Sequence, residues 1–116
     1  MSPELERRLV DRWPKWFDTD GDVQRTSMSL GFQVRDGWFH LVWSLCEELE
    51  PLVAECEKET GQPFEVLQVK EKFGGLRFYV SGGNTAIWDR IAAAEAESLR
   101  TCEQCGGSGR VRPGPR

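Results

Sequence analysis

Cys102 and Cys105 are separated by Glu103 and Gln104 and followed by Gly106-Gly107-Ser108-Gly109. Two thiolates on one tight turn can occupy adjacent corners of a zinc tetrahedron, and neighbouring glycines let backbone N–H groups approach the sulfurs. A structural zinc takes four ligands, so the motif supplies half a shell. The other candidate ligands do not converge on it. At about 100° per residue, Cys46 and Cys56 stand roughly 80° apart around a continuous helix, and His40 lies roughly 120° from Cys46. Cys56 also falls in an apolar stripe, where a cysteine behaves as a small hydrophobe. Three states stay open for Cys102 and Cys105: zinc completed by a distant side chain or a second subunit, a reversible disulfide, and a knuckle without metal.

A second group with chemical character is cationic. Residues 63–83, PFEVLQVKEKFGGLRFYVSGG, read as two strands flanking Gly74-Gly75, a pair that tolerates the positive φ angles of a two-residue hairpin turn. Counting outward from that turn places Phe73 opposite Leu76, Lys72 opposite Arg77, Glu71 opposite Phe78 and Lys70 opposite Tyr79. Leu67, Val69, Phe73, Leu76, Phe78 and Val80 then share a core face, and Lys70, Lys72, Arg77 and Tyr79 share the outer one. Directly opposed like charges destabilise a sheet, so something must neutralise them. Either water and a glutamate from residues 47–60 do so, or an anionic partner docks there with Tyr79 as a flat contact surface.

Other residues carry weaker signals. In the expected register Glu71 faces the core, where an uncompensated carboxylate is costly, so it needs an Arg or indole N–H partner or the rim of a pocket. Asp18-x-Asp20-Gly21-Asp22 has the look of a calcium loop, but its glycine comes too early and Ser29 stands where a bidentate Glu belongs. His40, Ser44 and Glu47 share a helix side without the sharp nucleophile turn or oxyanion amides of a hydrolase. No catalytic residue is assigned. Of five Trp, Trp13, Trp38 and Trp88 fit core stripes, which leaves Trp16 and Trp43 for a partner-facing patch.

These residues need a scaffold. Ser2-Pro3-Glu4 has the form of a helix start, and Leu5, Leu9 and Trp13 recur at spacing four, which predicts a helix over about 3–13. SLGFQV, residues 29–34, suits a short strand. Trp38, Leu41, Leu45, Leu49, Leu52 and Cys56 form one stripe of a helix over about 37–60, with a kink or break expected at Pro51. The hairpin covers about 64–81. A third helix over about 85–100 follows an Asn84 or Thr85 cap and carries Ile87, Ile91, Ala94 and Leu99. The expected fold is α+β, a small antiparallel sheet built around the hairpin and packed against helices. Residues 1–100 form one domain, and 101–116 form a Cys-x-x-Cys, Gly/Arg-rich tail.

A chain of 116 residues with 39% hydrophobic and 29% charged residues can bury one core, and this composition indicates neither a disordered nor a membrane class. No apolar run approaches the roughly 20 residues that cross a bilayer. The charged start MSPELERRLV lacks the apolar stretch of a signal peptide, so the expected location is the cytoplasm. The net charge of −4 hides an asymmetry, with six Glu against one Lys over residues 47–60 and four Arg against one Glu over residues 100–116. The acidic balance argues against general affinity for a phosphate backbone.

The order GFQVRDGWF (31–39), QVKEKFGGLRFYV (68–80) and AEAESLRTCEQCG (94–106) resembles a family of small bacteriophage and prophage proteins. Residues 102–109, of form C-x-x-C-x-G-x-G, also resemble one repeat of the zinc domain of DnaJ-type co-chaperones, which pair two such repeats per metal. The phage resemblance implies an accessory protein that acts by binding rather than an enzyme, and the leading reading is a binder of a host or phage protein that inhibits a host defence or regulatory complex. Its expected contact residues are Lys70, Lys72, Arg77, Tyr79, Trp16 and Trp43, with Cys102 and Cys105 for zinc. The alternatives are a nucleic-acid-associated zinc-knuckle protein using the basic hairpin face and tail, and a small hydrolase or nucleotide-binding enzyme. A homodimer is compatible with each.

Overall fold

The computed structural model of the protein describes residues 1–17 and 31–105. The first helix, α1 (Pro3–Arg12), begins where Ser2 Oγ accepts the Leu5 N–H, with Pro3 in the first turn and Glu4 and Glu6 beside the positive helix end. Its buried residue is Leu9, and Trp13 closes the helix with its N–H on Leu9 O. The chain start is tied to the segment 32–36. The N-terminal ammonium donates to the carbonyls of Phe32 and Val34, the Ser2 N–H donates to Asp36 Oδ1 (2.7 Å), and Glu6 accepts the Phe32 N–H (2.9 Å).

After a single 3₁₀ turn at Asp36–Trp38, α2 runs from Phe39 to Thr60 and ends on Gly61, whose φ of 71° is the left-handed cap that favours glycine. The helix continues through Pro51, so the expected break is not there. Pro51 is exposed, and one missing N–H costs less than abandoning the buried stripe of Leu41, Val42, Leu45, Cys46, Leu49, Val53 and Cys56 that spans both halves. Each fully buried aliphatic side chain contributes about 1.5–3 kcal/mol.

The hairpin comprises β1 (Glu65–Lys72) and β2 (Gly75–Ser81), paired antiparallel. The turn is one residue earlier than expected. Lys72 pairs with Gly75, Glu71 with Leu76, Lys70 with Arg77 and Val69 with Phe78, leaving Phe73-Gly74 as the two loop residues. The two glycines have different tasks. Gly74 has φ 82° and serves the turn. Gly75 is buried in the strand, and a Cβ there would come within 3.2 Å of Leu99 Cδ2, a tight contact to which the Leu99 side chain would have to yield. Because the pairing moves by two positions along β2, the paired residues near the turn keep their expected faces, and Phe73 alone leaves the core face for the loop. Further out, an irregularity between Val66 and Gln68 sets both Val66 and Val69 in the core, although a regular strand would put them on opposite faces. Leu67 is only half-buried there.

Gln33 forms a parallel bridge with Lys70: its N–H donates to Val69 O (2.9 Å) and its carbonyl accepts the Glu71 N–H (3.1 Å). Beyond β2 lies α3 (Thr85–Ser98), capped by the Asn84 side chain on the Ile87 N–H. Two α3 side chains satisfy the free edge of β2. Ser98 Oγ accepts the Leu76 N–H (2.8 Å) and Glu95 accepts the Phe78 N–H (3.0 Å), which closes the edge to further strands. Among the described residues the α+β architecture is therefore a two-stranded antiparallel sheet and three helices that share one core, with α3 lying against β2.

Trp88, expected in the core stripe of α3, is 53% exposed, and Leu99 is 42% exposed. The buried positions are Ile87, Ile91, Ala94 and Ser98. A residue one step past Ile87 is rotated about 100° off that face.

Candidate protein-binding surface

Phe73 is the residue most at odds with its surroundings. It occupies the first loop position of the hairpin with φ 55°, the sole positive-φ non-glycine among the described residues, and its side chain is 89% exposed. That position favours Asn, Asp or Gly, and a bulky residue there carries about 1–2 kcal/mol of backbone strain. The sequence reading set Phe73 on the core face. Moving the turn by one residue turns it outward.

Around Phe73 stand the expected cations. Lys72 Nζ lies 5.6 Å from the Phe73 ring centroid and Lys70 Nζ lies 5.9 Å from that of Tyr79. Arg77, directly opposite Lys70, donates from Nη1 to Leu76 O (3.1 Å). Gln68, paired with Tyr79, extends this face through a hydrogen bond from Nε2 to Gln33 Oε1 (3.2 Å). The cations thus rest against ring faces and a carbonyl. Three glutamates of the acidic run are engaged elsewhere: Glu48 with Arg90, Glu50 with Arg12, and Glu57 with the Phe64 N–H. The Arg90 hydrogen bond holds Glu48 below the usual carboxylate range and raises Arg90 in turn.

Beside the tip is a cavity of about 390 Å³ lined by Phe73, Gly74, Ser98, Leu99, Thr101 and Glu103, with Trp38 contributing to its wall. Phe73 and Leu99 are both exposed apolar side chains on its lining. The structure therefore brings Lys70, Lys72, Arg77 and Tyr79 together on one face and adds two residues that sequence reasoning missed, Phe73 and Leu99. A Phe-Gly turn was the available signal for Phe73. Leu99 carried none, because it continues the helix stripe by spacing alone.

Trp16 does not belong to this surface. It is buried, stacks at 5.9 Å on Trp13, meets Phe64 edge-on at 5.1 Å, and its carbonyl accepts the Val66 N–H near the start of β1, the end away from the turn. The expectation of a partner-facing Trp16 is corrected: the turn after α1 folds it onto the core. Trp43 is half-buried in the same cluster, 4.8 Å from Trp13 and 5.7 Å from Phe39, with Arg8 above it. A shallow cleft of about 310 Å³ runs beside this cluster between Arg12, Lys15, Glu50 and Val53.

Glu71 stays on the face of its partner Leu76 but is exposed beside the turn, and its carboxylate accepts the Gly74 N–H (2.6 Å), bracing the turn. His40, Ser44 and Glu47 are exposed along α2. The calcium-like run 18–22 lies outside the described residues. Cys46 and Cys56 are buried in the core, and burial raises the Cys46 thiol well above its usual pKa. Cys102 is half-buried and Cys105 exposed, in a turn. Among the described residues no group of three or more His, Cys, Asp or Glu could hold a metal ion, and no helix is long and apolar enough to cross a membrane. Comparison with protein-family models, curated proteins and solved structures found no match to this chain.

Proposed function

We propose that this protein is a non-enzymatic, phage-type accessory protein that docks the tip and outer face of its β-hairpin onto an acidic surface of a host protein. Its expected setting is the host cytoplasm, where such docking would occupy a defence or regulatory complex. The single observation that carries the reading is Phe73, strained and 89% exposed. An aromatic side chain that gains little in the isolated fold gains about 1.5–3 kcal/mol when a partner buries it. Phe73 also has the composition expected around it: an aromatic and an aliphatic centre with Lys72 and Arg77 at the rim. The resemblance of residues 31–39, 68–80 and 94–106 to phage proteins supports the accessory role.

The test is affinity capture from a bacterial host with the wild-type chain, the double reversal Lys72→Glu/Arg77→Glu, and Phe73→Asn. The expected result is capture of an acidic protein by the wild type and its loss from both variants, with circular dichroism unchanged. Capture that survives both variants refutes the assignment of this surface. Nucleic acid is the competing occupant of the same cations, and salt separates the two. Binding that falls steeply and log-linearly between about 50 and 200 mM salt is phosphate binding, whereas an aromatic-centred interface retains most of its affinity.

A further inference from the structure

The exposed large apolar side chains among the described residues, Phe73, Tyr79, Trp88 and Leu99, all belong to the hairpin or to α3 and its cap. On α3, Trp88, Ala92, Ala96 and Leu99 are exposed and, at about 100° per residue, fall within an arc of about 80°. The helix buries a different arc through Ile87, Ile91, Ala94 and Ser98. One apolar stripe suffices to hold a surface helix in its own fold, so the second is left to solvent. That second stripe adjoins the basic hairpin face. Leu99 Cδ2 (3.2 Å) and Arg77 Nη1 (3.4 Å) both crowd the point that a Gly75 Cβ would take, and Glu95, next to Ala96, accepts the Phe78 N–H (3.0 Å). Past Leu99 the surface dips into the cavity beside Phe73. Its wall of Thr101 and Glu103 is fixed by hydrogen bonds from Trp38 Nε1 to Thr101 O (2.9 Å) and from the Gly37 N–H to Glu103 O (2.6 Å). A Cβ on Gly37 would lie 2.4 Å from Cys102 O, so that wall rests directly on the domain.

Shape and charge define what fits there. The small side chains of Ala92 and Ala96 leave a shallow saddle between Trp88 and Leu99, about 16 Å along the axis or three helical turns. Strand addition beside it is closed, because Ser98 and Glu95 already take the Leu76 and Phe78 N–H groups at the β2 edge. An occupant must therefore approach through side chains, and a helix laid along the saddle presents apolar residues at i, i+3 or i+4 and i+7 to it. Its flank over the hairpin meets Lys70, Lys72 and Arg77, which select acidic residues. We infer that the α3 stripe from Trp88 to Leu99 receives an amphipathic helix of the partner protein, apolar on one face and acidic on the flank nearest the hairpin. The inference rests on the hairpin reading for its acidic flank and adds the class of element that docks.

A displayed library of random peptides of about 16 residues, enough for four helical turns, is panned on the full-length chain. Enriched peptides are then measured by fluorescence anisotropy against wild type, Ala92→Arg and Phe73→Asn. Arginine at the exposed position 92 suits a helix and fills the saddle away from the hairpin tip, so the variant keeps the wild-type circular dichroism. The expected result is enrichment of bulky apolar residues at helical spacing beside Asp or Glu, helical circular dichroism that appears in the peptide on binding, and affinity about tenfold or more weaker for Ala92→Arg. Affinity unchanged by Ala92→Arg overturns the inference, and if Phe73→Asn still removes binding the hairpin reading stands without it. Affinity lost with Ala92→Arg alone supports the helix site and refutes the tip. Failure to enrich any peptide, enriched peptides without helical spacing, or a wild type that self-associates by light scattering and becomes monomeric with Ala92→Arg each overturns the inference as well.

Discussion

Replacing Phe73 with Asn separates what the hairpin tip does for the fold from what it does for a partner. Phe73 holds φ 55° ahead of Gly74 at φ 82°, and Asn-Gly is the favoured pair for two consecutive left-handed residues. The strain on Phe is about 1–2 kcal/mol relative to glycine, and Asn relieves roughly half of it. Little opposes that gain. The ring is 89% exposed, so its removal forfeits almost no buried area, and the solvent-facing Lys72 contact is worth about 0.5 kcal/mol. Phe73→Asn should therefore leave stability unchanged or raise it by up to about 0.5 kcal/mol, or up to about 3 °C in Tm for a domain of this size. Urea unfolding followed by tryptophan fluorescence measures this. The same variant should lose the captured partner. A mutant that is less stable than wild type by about 1 kcal/mol or more would refute the reasoning, because Phe73 would then be packing within its own fold.

Ser98 is buried and its hydroxyl accepts the Leu76 N–H, so Ser98→Ala should cost about 1–3 kcal/mol in urea unfolding by orphaning a buried strand donor; an unchanged midpoint would show that water replaces it. In native, metal-free protein a thiol reagent at mildly alkaline pH should modify Cys102 and Cys105 rapidly and Cys46 and Cys56 only on unfolding, since burial keeps the Cys46 thiol protonated. The Glu48–Arg90 pair joins α2 to α3 across the surface. The folded Glu48 is more acidic than the unfolded one, so its contribution is present above the ordinary carboxylate range and lost as pH falls through the lowered folded value. The stability difference between wild type and Arg90→Ala should thus shrink in acid and in high salt, and a difference constant across that pH window would count against the pairing.

Element positions were largely legible in the sequence because each helix announces itself locally. Ser2-Pro3 and Asn84 act through side chains within one turn, and the α2 stripe repeats over five turns. The hairpin was legible too, but its turn was not, because Gly74-Gly75 permits two registers and local φ preference selects the wrong one. In the observed register Leu99 comes close to Gly75 from 24 positions away, a contact that no local preference reports. Trp16 and Trp88 exchanged their expected places for a similar reason: a turn after α1 and a rotation about α3 set their exposure, and neither is encoded in spacing.

The chain by itself determined the α+β class, the three helices and the hairpin, and which cations share its outer face, since alternation along a strand survives any shift of pairing by two. Tertiary structure alone decided that Phe73 points to solvent, that α3 closes the β2 edge, and that the backbone between Cys102 and Cys105 rests on Gly37. Period and capping are short-range consequences of backbone geometry. Which glycine is needed for its freedom and which for its lack of a side chain depends on what the rest of the molecule brings against it.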